Sequence, residues 1–357
     1  MPANTTRRSS NTVAAPHAER RALPPLHCER LRALALHPDE HPRRQPHLSA
    51  ASGLVCTMGR VYVIADDEHH LGVFADLRSP GRLHRLLPGD LPADAAARKK
   101  RKADFETLAL LPPGVAGRRA ALLALGSGSA PRRDGAVLIA LDAAGGLAGA
   151  VRRWDLAPLY RALRERAGAP INIEGAVVVG EELVLFNRGG SGARGANALV
   201  RCALQPLLHD AGGGGVHRRA SAEPFAKAVA PSGSFPSAVS LPSLFPSFTW
   251  QPCELGAVRG VGYGFTDAAA LANGSFLFTA VAEDSADSVA DGACVGSAIG
   301  LLSVAGEVQW MRPLAGSPKV EGIAVNETAT GIEVCLVTDA DDPLQASQLL
   351  RLQLPRL

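Results

Sequence analysis

The chain has 357 residues, of which 46% are apolar and 20% charged, and a formal net charge of +3. A balance this close to neutral gives no support to nucleic acid or a membrane as partner, and no apolar run is long enough to cross a bilayer as a helix. The cysteines at 28, 56, 202, 253, 294 and 335 have no zinc-site spacing, while 37 Gly and 26 Pro suit a fold with many tight turns.

Residues 1–25 read as a disordered tail, with Arg- and Ser-rich, acid-poor composition and no apolar signal-peptide core; a soluble cytoplasmic protein is expected. Residues 26–36 (LHCERLRALAL) are more ordered. They suit either an extra strand or a helical lead-in.

From residue 49 onward an opening recurs: SAASGLV at 49–55, DFETLAL at 104–110, NIEGAVV at 172–178, GFTDAAA at 264–270 and KVEGIAV at 319–325. After each opening come two further apolar strands and, before the next copy, a fourth, as in EVQWMRPL at 307–314. Four antiparallel strands repeating every 40–50 residues or so are the signature of propeller blades. The reading is therefore an all-β chain, a single β-propeller domain over 26–357 with five visible blades, six being the alternative. The last copy supplies three strands before Leu357, so the strand near 26–36 is expected to complete that blade and close the ring.

Two stretches interrupt the pattern. Residues 155–168 read as a short helix between blades, with Asp155 at its start and Gly168 at its stop. Residues 205–249 turn to Gly, Ser, Pro and Ala and read as a low-complexity insertion, the place where a sixth blade could hide. The basic run at 98–102 (RKKRK) has no interleaved aromatic residue. It reads as a solvated loop before a nucleic-acid patch, with an anion-facing loop as the third option.

Propeller strands alternate in direction, so first-strand starts and second-strand ends meet on one face. That gathers Glu106, Glu174, Asp267 and Glu321 at the channel mouth, with Asp66, Asn187, Arg188, Glu283, Asp339 and Asp341 beside them. Acids so placed repel one another unless a cation, basic residues or backbone donors offset the charge. An oxygen-rich ring suits calcium, for which Glu174, Glu321, Asp339 and Asp341 are the candidate ligands. The structural alternative is that each acid accepts backbone N–H bonds from the neighbouring blade.

The repeated Glu-Gly-(Ile/Ala)-(Ala/Val) opening, followed by a strand ending in Asp or Asn, resembles the phytase-like, esterase-like propeller proteins, most clearly at 104–110, 172–188 and 319–342. Glu106, Glu174 and Glu321 fall on that motif, whereas Ser52-Gly53 and Thr266-Asp267 depart from it. The resemblance implies a calcium-dependent hydrolase of a phosphate ester, carboxylic ester or lactone. Glu174 and Glu321 would be catalytic, and Arg188, Asn187 and Glu106 would bind a small anionic molecule or ester. The other open reading is a non-catalytic propeller that binds a ligand or a protein partner.

Overall fold

In the computed structural model, which describes residues 23–189, 195–210, 247–284 and 292–357, every recurring opening becomes the first strand of a four-stranded antiparallel sheet. Blade one is Ala51–Thr57, Arg60–Ala65, His70–Phe74 and Arg82–Arg85; blade two is Phe105–Leu111, Ala121–Gly126, Gly135–Leu141 and Leu147–Asp155. Blade three is Ile173–Val179, Glu182–Asn187, Ala198–Ala203 and Phe248–Pro252; blade four is Gly264–Ala270, Phe276–Asp284, Ala293–Leu302 and Val308–Pro313. Blade five has Val320–Thr328, Gly331–Thr338 and Gln348–Leu354, and its fourth strand is Glu29–Ala33.

The first strands pack against one another in the order of the blades, and that of blade five returns to that of blade one. The molecule is a five-bladed propeller. Closure comes from pairing of Glu29–Ala33 with the last strand, with Glu29 opposite Arg351 and Ala33 opposite Gln348. Leu34 and Leu36, just beyond, are buried, and each fully buried leucine contributes roughly 1.5–3 kcal/mol.

Strand periodicity explains where the core lies. First and second strands carry apolar residues on both faces, so each blade buries one face against its predecessor and the other against its successor. The result is five apolar clusters, one per seam between blades. The helix expected at 155–168 is Ala157–Ala167, ended by Gly168 at φ 62, and it presses Leu159, Tyr160 and Leu163 into the seam between blades two and three.

Phe248–Pro252 pairs with Ala198–Ala203 as the outer strand of blade three. The low-complexity insertion thus interrupts one blade, and the described residues form five blades. The central part of that insertion lies outside the described residues, as does the tail up to residue 22.

Candidate active-site funnel

All five first strands share one irregularity. Their register with the second strand slips between Ala51 and Gly53, Phe105 and Thr107, Ile173 and Gly175, Phe265 and Asp267, and Val320 and Gly322. A β-bulge of this kind bends a strand and re-aims one side chain. The bulged residues are Ser52, Glu106, Glu174, Thr266 and Glu321, and all but Thr266 line a cavity of about 620 Å3. Thr266 is buried and donates to Thr279 Oγ1 at 2.9 Å.

The next residue meets the neighbouring blade. A Cβ added at Gly53 would come within 2.6 Å of Leu108 N, at Gly322 within 2.8 Å of Ser52 O, and at Gly175 within 3.0 Å of the Asp267 Cα. The Glu-Gly pair of the motif therefore has two separate causes: the acid faces the funnel, and the glycine lets backbones of adjacent blades touch.

Asp267 corrects the sequence reading. It stands one residue past the bulge, in the glycine position, and so leaves the ring. Its carboxylate accepts from Ile323 N of the next blade at 2.9 Å and from Ala268 N at 2.8 Å, with the residue 1% exposed. At this one opening the acid is a tie between blades.

Basic side chains from the same loops interleave with the funnel acids. Lys102 bonds Asp66 and lies 2.8 Å from Asp104, which Arg133 contacts at 2.8 Å. Across the funnel Arg188 joins Glu174 at 3.3 Å to Glu283 at 2.7 Å, and Lys319 joins Glu283 at 3.0 Å, Glu321 at 3.5 Å and Asp341 at 2.6 Å. These side chains are largely removed from solvent, so each contact is screened less than a surface pair. Asp104 and Asp341 stand in the left-handed backbone region at φ 59 and 53, a conformation a non-glycine residue seldom adopts.

The basic run at 98–102 is not the solvated loop expected. Residues Ala95–Lys99 form a short helix capped by Asp94, Arg98 is buried against Asp67 at 3.0 Å, and Lys102 reaches into the funnel. Lys100 and Arg101 remain exposed.

Burial dominates the protonation of the acids. It pushes Glu174 up to about 7, against the pull of Arg188, and Asp339 up to about 8, against that of Lys319. Asp66 rises to about 6 by burial, against Lys102. Glu106 and Glu321 are pushed well above the usual carboxylate range, again by burial first. For Glu106 the charges of Asp66, Asp104 and Glu174 add to the effect, whereas Lys319 and Arg188 oppose it at Glu321. Burial opposes charge on Lys102, Lys319 and Arg188 as well, but the surrounding carboxylates outweigh it and hold all three protonated.

Of the expected site residues, Glu106, Glu174, Arg188, Glu321, Asp339 and Asp341 all line the one cavity. Asn187 does not. Its Oδ1 accepts from Asn172 N at 2.9 Å and its Nδ2 donates to Ala196 O at 3.0 Å, which spends the amide on shaping the loop. Asp339 accepts from Asp341 N at 2.8 Å. The set Glu174, Glu321, Asp339 and Asp341 fits calcium in its oxygen chemistry but not in its surroundings, because Arg188 and Lys319 already lie against three of the four. Asp66, Asp104 and Glu106 bring ligand atoms within 4.8 Å of one another, and there Lys102 bonds two of the three.

Sequence reasoning missed Asp104, Lys319 and Arg133. A signal existed for the first two: each stands two residues before a bulged glutamate, the spacing that puts strand neighbours on one face.

Residues 47–354 match the profile of a family described as of unknown function, DUF6929. No curated protein matches the sequence. Among solved structures, the chain is similar to the catalytic domain of a GH62 α-L-arabinofuranosidase from Coprinopsis cinerea (11% identity, TM-score 0.46, covering 93% of this chain and 98% of that one). It is also similar to an endo-arabinase from Bacteroides thetaiotaomicron (10%, 0.44, 90% and 98%) and to the calcium-binding protein regucalcin from Agrobacterium tumefaciens (11%, 0.41, 94% and 97%). TM-scores this low carry no argument about activity, and the propeller assignment rests on the sheet topology itself.

Proposed function

The chain belongs to the DUF6929 family, and for it we propose a hydrolase that takes a small anionic or ester substrate into the funnel. The observation that carries this reading is the opening of Glu106 and Glu174, two acids of shifted protonation, onto one cavity beside Lys102, Arg188 and Lys319. A carboxyl near 7 is poised to act as a general base at neutral pH. Glu174 takes a proton from the attacking water. Arg188 and Lys319 meet the negative charge that develops on the substrate oxygen, and Glu106, protonated, gives its proton to the leaving oxygen. Glu321 holds Lys319 in place. The resemblance to phytase-like and esterase-like propellers supports phosphate esters, carboxylic esters and lactones as the substrate classes.

Calcium enters no step here, since Lys and Arg side chains supply the positive charge it would bring. The six free cysteines support a reducing, cytoplasmic setting.

p-Nitrophenyl phosphate, p-nitrophenyl acetate and a δ-lactone are the substrates to assay. At least one should turn over near neutral pH, and Glu174→Gln should lower kcat by about 10²–10⁴ without loss of folding. The second reading, a non-catalytic binding platform, is favoured by the continuous chain Glu174, Arg188, Glu283, Lys319 and Asp341, already satisfied within itself. A shift in Tm with one of these compounds, and no turnover of any, would select it.

A further inference from the structure

At each seam a residue from the second strand of one blade and a residue near the end of the next blade's first strand belong to or border one apolar cluster. The equivalent positions are Tyr62 and Leu110, Leu123 and Val178, Val184 and Ala270, and Leu277 and Val325. At the seam that closes the ring, between blade five and blade one, the corresponding residues are Cys335 and Cys56.

Strand register brings these two together. Gly322 abuts blade one so closely that an added Cβ would sit 3.0 Å from Leu54 Cβ. Cys56 lies two residues beyond Leu54, on the same face, and Cys335 is the register partner of Ala324, two residues beyond Gly322. Both border the same apolar cluster at this seam, both are free, and both are half-buried, not sealed in the core.

We propose that Cys56 and Cys335 are a redox modification site, a reversible disulfide formed by a peroxide that fastens the first blade to the last. The neighbouring Cys56 draws the Cys335 thiol below its ordinary value, whereas Cys56 is pushed up, first by Cys335 and then by burial. Cys335 is thus the attacking sulfur. Its thiolate attacks one peroxide oxygen and the O–O bond breaks. The departing hydroxide takes up a proton to become water and leaves a sulfenic acid. The Cys56 sulfur then attacks that sulfur, the S–S bond forms, the S–O bond breaks, and hydroxide leaves with the Cys56 proton as a second water. The two sulfurs supply the two electrons that reduce the peroxide.

The test treats the full chain with a small excess of hydrogen peroxide and maps its peptides without reduction. A Cys56–Cys335 linkage is expected, with a rise of roughly 5–15 °C in Tm that dithiothreitol reverses. The variants Cys335→Val and Cys56→Val place an aliphatic residue at the seam, as the other blades do, and should fold, form no linkage and show no rise. Oxidation to sulfinic acids without that linkage would overturn the proposal. So would a linkage that leaves Tm unchanged, or a rise that persists in Cys335→Val.

Discussion

Blades three and four open on nearly the same pattern, an aromatic or branched residue and then an acid, yet use the acid in opposite ways. Glu174 is the bulged residue and faces the funnel, whereas Asp267 is one residue later and faces the next blade. A displacement of one position along a strand turns a side chain to the other face, so it decides whether a carboxylate is available to a ligand or committed to backbone donors. The comparison teaches that the repeat is defined by the bulge and not by the acid. Ser52 and Thr266 keep the bulge without any carboxyl.

The largest expected effect concerns what both blades depend on, the closed ring. Deletion of residues 1–40 removes the strand Glu29–Ala33 and buried Leu34 and Leu36 and should lower Tm by more than about 10 °C. Deletion of 1–20 should leave Tm unchanged. Equal effects of the two, followed by circular dichroism, would remove closure as the common support.

Next comes the contrast itself. Asp267→Ala leaves the Ile323 N–H without an acceptor in a buried seam and should cost about 2–4 kcal/mol in chemical denaturation. Glu174→Gln should cost far less while lowering kcat by about 10²–10⁴. If the two destabilise equally, the division between tie and site collapses.

The funnel acids also set a pH response. In the unfolded chain Glu174 and Asp339 titrate at their ordinary values of 4.5 and 3.8, and in the folded protein near 7 and 8. A raised carboxyl favours folding while it is protonated, so this stability is complete below about pH 4 and is lost as pH rises through 7 to 8. Tm should therefore fall between pH 5 and 8, and the double substitution Glu174→Gln, Asp339→Asn should flatten that slope. A Tm that rises over this range would show the acids to be ionised by their basic partners.

The smallest effect is the response to calcium. With Lys102 in place, wild-type Tm should not move in millimolar calcium. Lys102→Met frees Asp66, Asp104 and Glu106 from its ammonium and should gain a rise of a few degrees by linkage. A calcium-dependent rise in the wild type would return the metal to the chemistry.

Much of this was legible in the residues. The recurring opening and the apolar runs after it gave the blades, the three-strand last copy gave the closing strand, and Gly168 gave the end of the helix. The bulge was not legible, because an extra residue in a strand leaves no mark in hydrophobic periodicity, and Asp267 was therefore aligned one position wrongly. Two counter-ions were missed for another reason. Arg133 and Lys319 look like ordinary polar residues, and although its spacing puts Lys319 on the face of Glu321, only the ring brings Glu283 of blade four against it.

The fourth strand of the last blade has a temporal consequence. Among the strands of the ring Glu29–Ala33 leaves the ribosome first, but its hydrogen-bonding partner, Gln348–Leu354, emerges last. Throughout synthesis the earliest strand must wait with an unsatisfied edge while blades one to four assemble between the two. Joining the segment after Leu357 through a short linker, and starting the chain at blade one, would make every blade contiguous in sequence and remove that wait. Such a circular permutant should reach the same ring by a faster final step, since the longest loop closure in the fold would become one of the shortest.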